Sequence, residues 1–291
     1  MLPLWITADA GLFQKNGLDV KLDFAQGTMA SNAMVAGQYQ IGNVSAPAVL
    51  GAVAQGVSLK ITAALFSRLL YALVAAKDIH DPSELRGKVF GISKIGDSSW
   101  SATQMILRKL HVDPSLVTLL SVGNSPERLA ALMGGHIDAM IADPMDVVTA
   151  RRKGFPVLAT QQQLDIQYVG SAIAMQGDFI KHDRETAMLF LKAISEGIHY
   201  YKTRQEEAAK IAAKYLKSND TEAITSAVSV FASTIIPNIP VVTPGAIAPI
   251  QEGLAKSGSP GVKELKYEQF VDNSLVQELE KQGFYKQLYG N

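Results

Sequence analysis

Two segments of this chain, Ala33-Met-Val-Ala-Gly37-Gln-Tyr-Gln40 and Ala131-Leu-Met-Gly-Gly135-His-Ile-Asp138, carry the same helix–glycine–strand signal 98 positions apart. A repeat of that period means one supersecondary unit built twice, which removes most other folds at once. The offset continues without a gap. Residues 18–24, in which Leu18, Val20, Leu22 and Phe24 alternate onto one face of a strand, fall on 116–122. The turn at Gly27 falls on Ser125, helix 46–55 on 144–153, strand 57–62 on 155–160, and the opening helix 3–15 on 101–112. Gly37, Gly56, Gly135 and Gly154 each stand where a left-handed residue ends a helix. The reading is an α/β protein of two βαβαβα lobes, each a mostly parallel sheet with helices on its faces.

The second copy begins with residues 88–110, KVFGISKIGDSSWSATQMILRKL: an apolar strand (89–92), a polar glycine turn, then an amphipathic helix. Lobe one as given has no counterpart of that first strand, and the expectation is a segment ahead of residue 1. Residues 68–77 and 168–175 read as two extended crossings that form a two-strand hinge. Lobe one is assigned to 1–84, lobe two to 85–170, and 171–291 returns to lobe one with C-terminal helices. Those helices are expected at 183–202, with Met188, Leu191, Ile194 and Ile198 on one stripe and Asp183 as N-cap, then at 206–216, 221–236 and 263–289.

Composition narrows the function. Across 291 residues, 47% hydrophobic and 19% charged describe a globular chain able to bury two cores. Lys+Arg and Asp+Glu both number 27, so no basic surface advertises a nucleic acid or a membrane. The absence of cysteine excludes disulfides, thiol catalysis and thiolate metal sites. The start, MLPLWITADAGLF, lacks the basic n-region of a secretory signal, though an exported protein would have had its signal removed.

In open α/β sheets ligands sit outside the carboxyl ends of the strands. The repeat places five turns there: 26–31, 43–47, 93–100, 123–126 and 142–145. They contain Gln26, Gly27, Thr28, Asn43, Ser45, Ala46, Ser93, Asp97, Ser98, Ser99, Asn124, Asp143 and Pro144, mostly small, polar residues ahead of helix N-termini, whose free N–H groups and dipole suit a small polar ligand. The plainer reading of these Ser, Asn and Asp residues is helix capping. Asp97 and Asp143 could also form a carboxylate pair. Arg68, beside Tyr71 in an apolar run, can grip a carboxylate or sulfonate with two N–H bonds, or it can pair with an acid. Trp5 and Trp100 can stack on a flat ligand or pack in the core, and Tyr168 opens the second crossing. Gly91 and Gly96 have P-loop spacing, but Asp97 stands where the phosphate-clamping lysine belongs, which rejects a nucleotide. The five histidines form no metal-ligand pattern, no G-x-S-x-G elbow surrounds the serines, and no cofactor is implied.

The segments PLWITADAGLFQKNGLDV, MVAGQYQIGNVSAPAVLGAVAQG, DPSELRGKVFGIS, ERLAALMGGHIDAMIADP and EGIHYYKT together resemble the solute-binding proteins of ABC transporters of the nitrate/sulfonate/taurine type, the SsuA/THI5-like (NMT1-like) family. The resemblance spans nearly the whole chain. It implies a type II periplasmic-binding-protein fold with the first strand of lobe one missing, a cleft that closes on one small molecule, ABC permease subunits as partners, an extracytoplasmic location and a monomer. The sulfonate, nitrate, aromatic or pyrimidine-like identity of the ligand stays open. A THI5-like or menaquinone-pathway enzyme on the same fold is the alternative, and the missing cysteines weigh against the former.

Overall fold

The computed structural model describes residues 2–25, 28–95 and 98–290. The chain divides into two compact units: unit 1 is 1–68, 167–217 and 235–291, and unit 2 is 69–166 and 218–234. Residues 218–234, assigned from sequence to the return into lobe one, group with unit 2.

In chain order, unit 1 begins with α1 (Leu2–Asp9), α2 (Leu12–Lys15), α3 (Thr28–Val35), β1 (Ile41–Val44), α4 (Ala46–Ala54) and β2 (Leu59–Arg68). Unit 2 contributes β3 (Ala72–Ala75), β4 (Val89–Ile92), α5 (Ser98–Lys109), β5 (Thr118–Ser121), α6 (Ser125–Met133), β6 (Ala139–Ala142), α7 (Pro144–Arg152), β7 (Val157–Ala159) and α8 (Gln161–Leu164). Unit 1 resumes with β8 (Gln167–Gln176), α9 (Gly177–His182), α10 (Arg184–Thr203) and α11 (Gln205–Leu216). Then α12 (Thr221–Val230) belongs to unit 2, and α13 (Pro244–Lys256), α14 (Tyr267–Phe270), α15 (Ser274–Lys281) and α16 (Phe284–Tyr289) complete unit 1.

The repeat is present in the sheets. Unit 1 has strand order β1-β8-β2, and unit 2 has β5-β4-β6-β3-β7. β1 and β6 lie at the 98-residue offset residue for residue, as do α4 and α7. Val44 pairs with Ala172 of β8 as Ala142 pairs with Ala72 of β3, so β8 stands to β1 as β3 stands to β6. Strands β3 and β6 are buried along their full length, as uninterrupted apolar runs should be when helices cover both faces. Leu129, Leu132 and Ile137 pack on them. Unit 1 buries Ile6, Phe13, Leu50, Ile61, Ile173, Leu191, Tyr201 and Phe270.

Five expectations need correction. The sheets are mixed: four of the five strands of unit 2 share a direction, but neither sheet is wholly parallel. Both pairings of unit 1 are antiparallel, and in unit 2 β3 runs antiparallel to β6 and β7 while β4 is parallel to β5 and β6. The reason is that a crossing strand inserts into the middle of each sheet against the direction of the strands beside it. Second, 18–24 forms no strand; Leu22 and Phe24 are 36% and 64% exposed, and among the described residues no strand pairs with this segment to supply the backbone bonds that alternation alone cannot. Third, helix 3–15 breaks at Gly11, whose φ of 67° is left-handed. Fourth, 57–62 and the head of the 68–77 run join into one ten-residue strand, β2, before the chain turns into β3. Fifth, helix 221–236 ends at Val230 and continues as a π-turn, Phe231–Ile235, while 263–289 is three helices rather than one.

In unit 1 helices α1 and α10 meet at one close approach. Gly197 of α10 lies against α1, where Thr7 is fully buried and its hydroxyl donates to the Pro3 carbonyl at 2.7 Å. In unit 2, α12 is tied to α7 by Arg152, whose guanidinium grips Asp220 at 2.7 and 2.9 Å and reaches Glu222.

Candidate functional site

In unit 2 three strands, β4, β5 and β6, run parallel and end at one edge. Ser93 follows β4. Its N–H donates to Ser99 Oγ at 2.8 Å, and the two hydroxyls lie 2.8 Å apart, with Ser99 buried on α5. Asn124 is the N-cap of α6 in a reciprocal box: its Oδ1 accepts the Glu127 N–H at 3.0 Å while Glu127 accepts the Asn124 N–H at 2.7 Å. The Asn124 side-chain oxygen is therefore committed to capping.

Beyond β6 the arrangement changes character. Asp143 is the N-cap of α7 by backbone position, with Pro144 opening the helix, yet its side chain makes no capping bond. Its own N–H donates to the buried Ser125 hydroxyl at 3.1 Å. Asp146 lies one turn further on, and the same Ser125 hydroxyl favours its ionised form. Arg128 of α6 is 2% exposed, and its guanidinium donates to the Ile141 carbonyl at 3.0 and 3.3 Å and to the Gly123 carbonyl at 2.8 Å. Gly91 of β4 lies beside this side chain and makes room for Ile137: a Cβ there would meet Ile137 Cδ1 at 2.5 Å, and Arg128 Cγ and Cδ only in ordinary contact at 3.6 Å.

The electrostatics follow from that geometry. Burial, then the neighbouring Asp146 carboxylate, pushes Asp143 up to about 6, while Arg128 pulls the other way. Burial also raises Asp146, opposed by the Ser125 hydroxyl and by Arg128. Two half-buried carboxylates thus share one guanidinium, and the bonds described for that guanidinium go to carbonyl oxygens.

In unit 1 the equivalent strand end is β1. Asn43 donates from Nδ2 to Ser171 Oγ at 2.9 Å and to the Ala172 carbonyl at 3.3 Å, which ties it to β8. Ser45, at the 98-residue offset from Asp143, is likewise an N-cap without a side-chain capping bond, ahead of the buried Ala46. Arg68 is half-buried at the end of β2, in register with Gln167, and donates to the Ser67 carbonyl at 3.4 Å. Tyr168 is buried at the head of β8, and in unit 2 Tyr71 is half-buried just before β3.

Trp5 stacks on Tyr215 with ring centroids 4.6 Å apart and planes 5° from parallel, and Tyr215 donates to Asp9 at 2.7 Å. Trp100 is half-buried in the first turn of α5. Gln26, Gly27 and Asp97 lie outside the described residues, as do the side chains of Thr28 and Ser98. The expected Asp97–Asp143 pair thus lies outside the described residues; among those described, the carboxylate that acts on Asp143 is Asp146. Among the described residues no group of three His, Asp or Glu could hold a metal ion, and no helix is long and apolar enough to cross a membrane.

Sequence reasoning missed Arg128 and Asp146. Ser125-Pro-Glu-Arg128 and Asp143-Pro-Met-Asp146 occupy matching helix starts after β5 and β6, but at the 98-residue offset Arg128 and Asp146 fall on Ala30 and Ala48, so the repeat does not point to them.

These parts define a class: an α/β protein of the periplasmic-binding-protein fold. The family model described as NMT1/THI5 like matches residues 1–208, and the chain belongs to that family. Among solved structures it is similar to the periplasmic aliphatic sulphonate binding protein SsuA from Escherichia coli, at 17% identity over 92% of this chain and 87% of that one, TM-score 0.74. It is also similar to a zinc-bound ligand-binding component of an ABC-type import system from Staphylococcus aureus, at 15% identity over 95% and 94%, TM-score 0.73. The desulfurization enzyme DSZB aligns at 12% identity over 96% of each chain, TM-score 0.68, so binding proteins and an enzyme share this fold. No curated protein sequence matches the chain.

Proposed function

We propose that the protein is an extracytoplasmic, non-enzymatic solute receptor that captures one small polar or planar molecule at the strand ends described above and delivers it to the permease of an ABC importer. One observation carries this reading. In each unit the strand at the 98-residue offset ends on a helix N-terminus whose N-cap side chain, Ser45 or Asp143, leaves the helix uncapped. A polar side chain and helix N–H groups left open at a strand's carboxyl end are what a small ligand needs. Membership of the NMT1/THI5-like family supports the reading, as does the likeness to an import-system binding component. The receptor works as a monomer, and binding shifts an open–closed equilibrium in proportion to the ligand's differential affinity.

The test is a thermal-shift screen over alkyl and aryl sulfonates, nitrate, aromatic carboxylates and thiamine precursors, with calorimetry on the hits and a check that bound ligand is recovered unchanged. A ligand at about 100 times its Kd stabilises by about 2.7 kcal/mol. A panel that leaves the melting temperature unmoved refutes the receptor reading, and a ligand returned chemically altered refutes the non-enzymatic part of it.

A further inference from the structure

Asn16 and Gly17, the only Asn-Gly pair in the chain, form the turn where α2 ends against α10. Gly17 has a φ of 75°, a left-handed conformation that glycine adopts at no steric cost. Asn16 Nδ2 donates to the Leu12 carbonyl at 2.8 Å and to Glu196 Oε2 on α10 at 2.9 Å. The other Glu196 oxygen takes Lys15 Nζ at 3.0 Å, and the Glu196 side chain is only 10% exposed. Phe13 of α2 also stacks on Phe190 of α10, with ring centroids 5.2 Å apart. Asparagine is a thermolabile residue, and a following glycine has no side chain to keep its nitrogen from the asparagine amide. The turn therefore demands, at residue 17, the neighbour that leaves Asn16 most open to attack.

The native geometry holds that reaction back. Closing a succinimide ring needs the Gly17 nitrogen eclipsed with Asn16 Cβ, but the Asn16 ψ of 16° eclipses it with the Asn16 backbone nitrogen instead. The Gly17 N–H is donated to the Gln14 carbonyl at 2.9 Å, and the amide that must leave is held by Leu12 and Glu196. We propose that Asn16 is a deamidation site gated by its bond to Glu196, where spontaneous chemistry with water as co-reactant proceeds when the α2–α10 contact opens locally. In the open state the Gly17 nitrogen attacks Asn16 Cγ. The N–Cγ bond forms, the Cγ–Nδ2 bond breaks, and the Gly17 amide proton leaves with the side-chain nitrogen as ammonia. Water then opens the succinimide at either carbonyl and leaves aspartate or isoaspartate. Either product sets a carboxylate where an N–H donor had met Glu196 and the Leu12 carbonyl, so like charges face each other in a partly desolvated setting and the contact does not reclose as before.

The test ages the protein at mildly alkaline pH, folded and in urea, and reads residue 16 by peptide mapping that separates asparagine, aspartate and isoaspartate. Conversion in urea is expected to outpace conversion in the folded protein by about tenfold or more. Glu196→Ala, which releases the amide, speeds conversion in the folded protein by about threefold or more, while Lys15→Ala, which leaves both Asn16 bonds in place, stays within about twofold of the parent. Asn16→Asp, which copies one product, lowers the melting temperature by about 2–4 °C. No conversion of residue 16 in urea, equal rates folded and in urea, or a Glu196→Ala rate no faster than the parent's overturns the inference, and the comparison with urea decides it if Glu196→Ala folds poorly. A Lys15→Ala rate that matches Glu196→Ala overturns the role of the Asn16–Glu196 bond, and an Asn16→Asp protein as stable as the parent overturns the damage to the α2–α10 contact.

Discussion

Gly197→Ala sets helix propensity against packing with opposite signs. Alanine in the middle of a twenty-residue helix should gain about 1 kcal/mol over glycine. At this position, however, a Cβ would stand 1.9 Å from Thr7 Oγ1, 3.0 Å from Thr7 Cβ and 3.3 Å from the Pro3 carbonyl oxygen. Thr7 has no room to yield, because it is fully buried and its hydroxyl is bonded to that same carbonyl. Overpacking costs about 1–3 kcal/mol. Turning the hydroxyl away leaves a buried donor unsatisfied, for about 1–3 kcal/mol more. Net of the propensity gain, the variant should lose roughly 3 kcal/mol, which at about 2–4 °C per kcal/mol lowers Tm by about 6–12 °C. Thermal and urea unfolding followed by circular dichroism measure it. Thr7→Ala in the same background removes the obstructing hydroxyl and should return about 1–2 kcal/mol as a coupling energy in a double-mutant cycle. A Gly197→Ala protein that melts higher than the parent, or a coupling energy of zero, would refute the argument that α1 seats directly on this glycine.

Asp143 has a folded-state pKa of about 6 against an ordinary 3.8, so its proton is held more tightly in the folded chain. The resulting stability is complete below pH 3.8 and is lost as pH rises through 6. At pH 7.5 the deprotonated group costs about 3 kcal/mol, so Asp143→Asn should raise Tm there and flatten the slope between pH 4 and 6; an unchanged slope refutes it. Arg152→Ala should speed amide exchange across α12 without exposing β3 or β6, since the clamp on Asp220 and Glu222 holds that helix to α7; protection that drops across the whole of unit 2 contradicts this. Trp5→Leu should cost about 1 kcal/mol from the lost stacking on Tyr215 and leave any ligand's affinity within twofold. A tenfold loss of affinity would place Trp5 at the ligand instead.

The sequence carried the repeat because its signals are local. Gly37, Gly56, Gly135 and Gly154 all adopt positive φ, between 72° and 89°, as helix-ending glycines should, and they locate α3, α4, α6 and α7 in turn. Apolar runs such as ALVA and AMIA likewise announced buried strands. Direction was not legible: nothing in a four-residue apolar strand says whether its neighbours run with it, and the antiparallel insertion of β3 and β8 comes from long-range topology. Periodicity at 18–24 misled for a related reason, because alternation names a face but not a partner. At the site, Ser93, Ser99, Asn124 and Asp143 could be named from turn chemistry. Arg128 could not, because its burial depends on the Ile141 and Gly123 carbonyls that the fold brings to its guanidinium.

The interleaving of the two units also fixes an order of assembly on the ribosome. Everything unit 2 requires has been synthesised once residue 234 emerges, whereas the first 68 residues of unit 1 await a segment that ends at residue 291. At about 5–20 residues per second the opening helices wait on the order of ten to forty seconds for that tail. During that interval Ile6, Phe13 and Leu50, destined for the interior of unit 1, lack their final cover. A holdase acting on the nascent chain would find its substrate there, in the N-terminal segment, while the later-made unit 2 folds ahead of it.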